Sequence, residues 1–390
     1  MNVAKSETPE TPAQSGIEWR EGDVLHASPW RSEAGLPPPR RVVVADDATS
    51  ADAAYRLACE GTALLWRGDY QNARQMLQAI ARRIDRRAAE RGKAPANLTE
   101  AFHQKRMAQA QRARVLGMLL IPFEAGHVIP LRRAPEVREA CVAVRGEADQ
   151  PYVASLRELL GLVGAFEWRR KGVWIPALEA RIHPHYGVFS PVRGEYVALV
   201  AQAPLPSVLG DSGVAFDVGT GTGVLAAVLA KRGVARVVAT DQDERALACA
   251  RENLARLGFG PRVDVLKADL FPPGRAPLVI CNPPWVPGKP GSALDHAVYD
   301  PESRMLRGFL AGLPAHLTPG GEGWLILSDL AEHLGLRSRD VLLAWMAAAG
   351  LRVVARLDAR PVHGKATDVN DPLYLARSAE VTSLWRLAVA

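Results

Sequence analysis

The chain has 390 residues, of which 48% are hydrophobic, four cysteines, and a formal charge of +6 from 48 Lys and Arg against 42 Asp and Glu. That composition excludes disorder as the main state, and at roughly 150 residues per domain the length suggests two or three domains. No run of eighteen apolar residues marks a membrane span, and Met1 to Pro9 lacks a basic stretch leading into an apolar one, so no secretory signal is read and a cytoplasmic location is expected.

Counted by segment, residues 1–50 carry −3, residues 51–193 carry +9, and residues 194–390 balance. A basic excess of this kind fits an RNA or DNA partner and fits an arginine-rich solvated helix face equally well. Cys59, Cys141, Cys249 and Cys281 stand singly, without the close spacing of a zinc site, so four reduced thiols and no metal are expected.

In chain order, the first segment is rich in breakers, including Pro9, Pro12, Pro29 and Pro37-Pro38-Pro39, and residues 1–48 read as a flexible tail. From Ser50 the spacing of Ala54, Leu57, Ala58, Leu64 and Leu65, and then of Met76, Leu77, Ile80 and Ile84, predicts a helical hairpin. Further helices are expected from Glu100 to about Leu120 and around Leu156, Leu159, Leu160 and Val163. Residues 49–180 thus read as a mainly α-helical N-terminal domain, expected to recognise the substrate. Residues His183 to Pro191 read as an ordered loop.

Residues 181–390 form the second domain. Apolar runs ending at Asp217, Thr240, Leu266 and Cys281 alternate with helical stretches, and further strands are expected at Gly323 to Leu327, Arg352 to Leu357 and Ser383 to Val389. The fold class is α/β, a seven-stranded, mostly parallel, Rossmann-like sheet with helices on both faces.

The chemistry concentrates at the ends of the first four strands, where open α/β sheets bind ligands. Phe216-Asp217-Val-Gly219-Thr220-Gly221-Thr-Gly223-Val224 is a strand entering a glycine-rich turn and a helix, and Val224 breaks the dinucleotide G-x-G-x-x-G pattern. Asp241 ends the second strand and can accept hydrogen bonds from ribose hydroxyls. Asp269 follows the third strand, beside Leu270 and Phe271, where an acid and a flat apolar face suit adenine. The fourth strand runs into Asn282-Pro283-Pro284-Trp285.

In this order the motifs resemble the class I S-adenosylmethionine-dependent methyltransferases, over about residues 186 to 390. The Asn-Pro-Pro-aromatic quartet is similar to that of enzymes methylating planar nitrogens: release-factor glutamine, small-domain rRNA guanine-N2 and adenine-N6 DNA methyltransferases. The resemblance implies S-adenosylmethionine as cofactor, bound by Asp217, Gly219, Thr220, Gly221, Gly223, Asp241, Asp269, Leu270 and Asn282. The catalytic set it implies is Asn282, Pro283, Pro284 and Trp285. Tyr186-Gly-Val-Phe189-Ser-Pro resembles the loop entering the catalytic domain of the rRNA enzymes, which would put Phe189 over the cofactor or, equally, in domain packing.

An amide or aniline-like nitrogen has a delocalised lone pair, so it needs polarisation and alignment rather than a strong base. The Asn282 side-chain oxygen and the Pro283 carbonyl can accept its N–H groups, with Trp285 against the flat acceptor. Trp285 departs from the Tyr or Phe usual in those families. The expected partner is a macromolecule of the translation machinery, a protein glutamine or an rRNA base, with a small-molecule acceptor or a non-catalytic binding module as alternatives. His183 and His185 are expected to be structural, Asp329 to cap a helix, and Asp295, His296, Tyr299 and Asp300 to line the acceptor site or form a solvated loop.

Overall fold

The computed structural model describes residues 16–91, 94–192, 194–210, 213–291, 294–361 and 368–390. The chain divides into two compact units, Met1–Gly92 with Ala108–Gly164, and Lys93–Met107 with Ala165–Ala390.

The first unit is α/β rather than helical. Strands β1 (Gly16–Glu21) and β2 (Val24–Pro29) pair as an antiparallel hairpin, and β3 (Arg41–Ala45) follows. After them come α1 (Ala51–Cys59), β4 (Thr62–Trp66), α2 (Tyr70–Arg91), the part of α3 (Leu98–Leu116) from Ala108 on, β5 (Leu119–Phe123), α4 (Arg138–Arg145), β6 (Tyr152–Ser155) and the start of α5 (Leu156–Lys171). The sheet order is β3-β4-β5-β6, with β6 alone antiparallel.

Two expectations are corrected here. Part of the supposed tail of residues 1–48 is strand from Gly16 onward; residues 1–15 lie outside the described residues. Ile17 and Trp19 alternate onto a buried face, and the Gly22-Asp23 pair turns the hairpin with Gly22 at φ +60°. Within the supposed helical domain of residues 49–180, Leu64 and Leu65 belong to β4, and Leu119, Leu120 and Ile121 to β5. All five residues of each strand are buried. A strand buried on both faces has no alternation, so a short apolar run looks the same as a helix segment. Residues 165–180 group with the second unit, so the boundary at 180 falls earlier.

The second unit holds the seven-stranded sheet anticipated from sequence. After the hairpin β7 (Val173–Ile175) and β8 (Ala180–Ile182) and helix α6 (Glu195–Gln202), the chain runs through β9 (Val214–Val218), α7 (Val224–Lys231), β10 (Arg236–Asp241), α8 (Glu244–Arg256), β11 (Val263–Lys267) and β12 (Ala276–Cys281). It continues with α9 (Arg304–His316), β13 (Leu317–Ser328), α10 (Leu330–His333), α11 (Arg339–Ala348), β14 (Leu351–Ala359), α12 (Tyr374–Ala379) and β15 (Thr382–Val389). The order is β11-β10-β9-β12-β13-β15-β14, with β15 antiparallel to both neighbours.

Alternate residues of the central strands face opposite layers. Ala215, Leu278, Ile280, Trp324 and Ile326 pack with α6 and α7, whereas Phe216, Val218, Val279, Cys281, Leu325 and Leu327 pack with α9 and α11. Covering both faces leaves the carboxyl edge as the place where loops can carry polar side chains.

Candidate active site

The turn after β9 is fastened by its own polar groups. The amides of Gly219 and Thr220 donate to the Thr240 carbonyl at 2.9 and 2.8 Å, and the Gly221 amide to Asp241 Oδ2 at 3.0 Å. Gly219, Gly221 and Gly223 have φ of +73°, +55° and +79°, a region in which a side chain is strained. A Cβ at Gly223 would also stand 3.2 Å from Ala250 Cα of α8, while one at Gly221 would meet nothing within 4 Å, so the turn is open there.

Asp217, expected among the ligand-binding residues, is turned into the protein instead. Its carboxylate is fully buried; Oδ2 accepts from Thr220 Oγ1 at 2.6 Å and from the Ala226 amide at 3.1 Å, and Oδ1 has no partner. Burial pushes its pKa up to about 6, against the pull of these two donors. Asp217 and Thr220 therefore act as a staple that holds the glycine turn.

Asp241 remains half-buried at the end of β10. Its Oδ2 holds Gly221 and its Oδ1 accepts from the Asp243 amide at 3.0 Å, with burial raising its pKa. Asp269 is exposed and lies 3.6 Å from Arg304. Leu270 has φ +82° and its carbonyl accepts from Thr240 Oγ1 at 2.5 Å, which locks the backbone of this loop. Phe271, suggested as a face for adenine, is committed elsewhere: it stacks on His316 at 4.2 Å and on Phe309 at 5.6 Å, against α9.

Asn282 and Gly219 directly follow Cys281 and Val218, which are paired across β12 and β9, so the quartet and the glycine turn begin side by side. The Trp285 indole N–H donates to Asn282 Oδ1 at 2.8 Å, and the ring meets Tyr196 edge-on at 6.5 Å. Pro283 is buried. The quartet is thus an internally braced turn as well as a polar one.

Three further residues were missed by sequence reasoning. Arg337, in the short connection between α10 and α11, donates from Nη2 to the Trp285 carbonyl and from Nη1 to Ser303 Oγ, each at 3.3 Å. It is 6% exposed, and burial lowers its pKa. Met305 brings its methyl group beside Gly219, where a Cβ would stand 2.5 Å from it. Tyr196, on α6, is the ring against Trp285. None of the three sits in a motif, and contacts made across the fold leave no local signal.

The other expectations divide. Asp300 is buried and caps α9, accepting from the Met305 and Leu306 amides at 3.0 and 3.1 Å. Asp295 and Tyr299 belong to an ordered loop tied by the Val286–Tyr299 bridge. Phe189 is half-buried next to Val188, which packs on Ala246 and Cys249. His183 and His185 are structural: His183 Nδ1 bonds the Arg169 carbonyl at 2.7 Å and His185 Nε2 bonds Glu252 at 2.8 Å. Asp329 sits at the start of α10 but its side chain accepts from the amide of Val381, just before β15, instead of capping the helix. Among the described residues no group of three or more His, Cys, Asp or Glu could hold a metal, and no helix is long and apolar enough to cross a membrane.

The fold and this edge define a Rossmann-like α/β transferase domain, and comparison with known proteins specifies it. Residues 179–338 match the family model of the methyltransferase small domain. Release factor glutamine methyltransferase of Caulobacter vibrioides is 30% identical over 214 residues, 52% of this chain and 72% of the relative. The same-named protein of Cereibacter sphaeroides is 35% identical over 155 residues, 36% of this chain and 53% of the relative. Ribosomal RNA small subunit methyltransferase C of Alcanivorax borkumensis is 35% identical over 143 residues, 36% of this chain and 40% of the relative. The chain belongs to the methyltransferase small domain family. It spans about half the length of several of the relatives it matches.

Proposed function

We propose that this chain is an S-adenosylmethionine-dependent N-methyltransferase acting on a planar amide or exocyclic amino nitrogen of a macromolecule of the translation machinery. The observation that carries the reading is the placement of Asn282–Trp285 beside the glycine turn, at the carboxyl edge of adjacent strands β12 and β9. The relatives support it: their names specify a release-factor glutamine, ribosomal protein L11 and ribosomal RNA as targets. A cytoplasmic location goes with this reading.

The residues present fit an adenosyl ligand. The turn is open at Gly221, and the Asp241 carboxylate, already accepting two backbone hydrogen bonds, has lone pairs left for ribose hydroxyls. When bound, the cofactor supplies an electrophilic methyl group. The backbone of Gly219, Gly221 and Gly223 would lie against it, and Asp269 and Leu270 stand on the neighbouring loop for its base. Asp217 and Thr220 hold the turn in shape.

Asn282 Oδ1 has two acceptor sites. The Trp285 indole takes one, which fixes the orientation of the carboxamide, and the other remains for an N–H of the acceptor. The Pro283 carbonyl takes the second N–H. Holding both N–H groups pushes electron density toward the nitrogen and aligns its lone pair without a strong base. Trp285 offers its ring to the flat acceptor.

Two measurements test the reading. Calorimetry shows whether S-adenosylmethionine binds, and incubation of the full chain with labelled cofactor and cell extract shows whether methyl groups are transferred. Binding without labelled product would mean a non-catalytic module. Label removed by protease identifies a protein acceptor, label removed by RNase an RNA, and label surviving both a small molecule, which would overturn the macromolecular target.

A further inference from the structure

Helix α3 begins at Leu98, capped by Asn97, whose side chain accepts from the Glu100 amide at 2.9 Å. Its residues up to Met107 group with the second unit, although they lie outside the family match of residues 179–338. Ala101 and Phe102 are buried in a small apolar cluster with Val286, Leu330, Leu334, Leu373 and Ala376, and Trp285 and Tyr299 pack against it. Thr99 Oγ1 donates to the Leu334 carbonyl at 2.7 Å, and Lys105 Nζ to the half-buried Asp371 at 2.6 Å.

Arg106 makes the contacts that bear on the site. Its guanidinium lies 3.7 Å over the Tyr299 ring, with Nη1 3.1 Å from Asp295 Oδ2 and Nη2 2.5 Å from the Lys289 carbonyl. One side chain thereby grips three points of the stretch between Trp285 and the cap of α9. A planar guanidinium can stack and donate from its edges at once, which an ammonium cannot. Apart from a short turn at Leu294–Ala297, the described residues of that stretch form no helix or strand; it is held by the Val286–Tyr299 bridge with its backbone hydrogen bonds, by Asp295 accepting from the Gly291 amide, and by Arg337 at the Trp285 carbonyl.

We propose that Arg106 is a positioning residue for the methyl acceptor: from α3 it holds Lys289, Asp295 and Tyr299 of the loop after Trp285 and hence governs which acceptors reach Asn282. This rests on the reading of Asn282 as the methyl-transfer site. Ordinary helix docking would be served by Ala101, Phe102, Thr99 and Lys105. Arg106 adds grip on the loop itself.

The test compares the full-length protein with Arg106→Ala and Arg106→Lys. Hydrogen exchange without ligand should quicken at least 10-fold for amides of residues 286–291 and 294–300 in Arg106→Ala, with α7 unchanged, and less in Arg106→Lys. In the labelled-extract assay, the extract concentration giving half-maximal transfer should rise at least 5-fold in Arg106→Ala, with cofactor affinity within 2-fold and partial recovery in Arg106→Lys. Unchanged exchange overturns the proposal, as does faster exchange with unchanged half-saturation, which would make Arg106 structural only. If the wild-type protein transfers no label, the methyltransferase reading has failed, and the exchange arm by itself decides whether Arg106 holds the loop.

Discussion

At the residue scale, Asn282 and Trp285 act as a pair. On the proposed reading, Asn282→Ala removes the oxygen that would orient the acceptor, so turnover should fall about 100-fold or more with cofactor affinity within a few-fold. Trp285→Phe keeps an aromatic ring but loses the N–H that fixes the Asn282 carboxamide. Turnover should then drop about 10-fold with little change in half-saturation, an outcome between the wild type and Asn282→Ala. Steady-state kinetics on the extract acceptor separates the cases, and wild-type turnover in Trp285→Phe would show that the 2.8 Å hydrogen bond does not bear on catalysis.

Asp217 supplies a prediction about pH. Its pKa is about 6 in the folded chain, above the ordinary carboxylate value, so the folded state holds the proton more tightly than the unfolded state. Stability must therefore fall as pH rises from about 4 to above 6, by up to about 3 kcal/mol from this group. Asp217→Asn keeps an oxygen for Thr220 and Ala226 and cannot ionise. Denaturant unfolding at pH 5 and pH 7.5 should show the variant gaining on the wild type at the higher pH. A constant difference between the two would show that Asp217 does not titrate in this window.

At the element scale, the start of α9 depends on a cap from outside the helix. Ser303, in the cap position, has φ +55° and makes no side-chain cap, while Asp300 accepts from the second and third helical amides. Asp300→Ala should cost about 1–2 kcal/mol, read as a lower denaturant midpoint. Since Met305 adjoins Gly219, cofactor affinity should weaken as well. Loss of stability with unchanged affinity would separate the cap from the cofactor edge.

The elements also differ in how they are encoded. Strands β9, β10 and β12 end in or run directly into polar or turn residues, Gly219, Asp241 and Asn282, and helices α7 and α8 stand between them, so they are legible as an alternating pattern. Strands β4 and β5 lack such marks. Leu64-Leu65 follows a true helix, α1, at helical spacing, and its pairing with Val43-Val44 on one side and Leu119-Leu120 on the other makes it a strand.

At the scale of the whole sheet, the antiparallel strand β15 is inserted between β13 and β14. It is tied to β13 by Arg386, which grips Glu322 through two 2.7 Å hydrogen bonds, with Trp324 Nε1 donating to the same carboxylate at 3.0 Å. Both side chains are largely buried, so Glu322→Gln should cost about 3 kcal/mol by leaving the guanidinium short of a charge partner. A lower denaturant midpoint at unchanged slope is the expected result. A loss under 0.5 kcal/mol would show that the pair contributes little to the sheet.

Several arginines of residues 51–193 are paired within the first unit, mostly with acids already counted in the +9. Arg132 and Arg133 both reach the fully buried Asp69, Arg145 reaches Glu33 and Glu158, and Arg83 and Arg112 pair with Asp52 and Asp85. The pairing fixes where these arginines point and leaves the net excess in place, with Arg132 and Arg133 still mostly exposed.

By itself the sequence determined the seven-stranded sheet, the glycine turn and the Asn-Pro-Pro-Trp quartet, because each is a local pattern: alternating elements, glycines at positive φ, and a rigid turn after an apolar strand. Only the tertiary structure decided that Asp217 staples the turn from within, that Phe271 belongs to α9, that the first unit contains a sheet, and that Arg106 and Arg337 grip the loop beyond Trp285. Those outcomes turn on which surfaces meet and which charges lose their water, and residues nearly two hundred positions apart carry no mark of it in their neighbours.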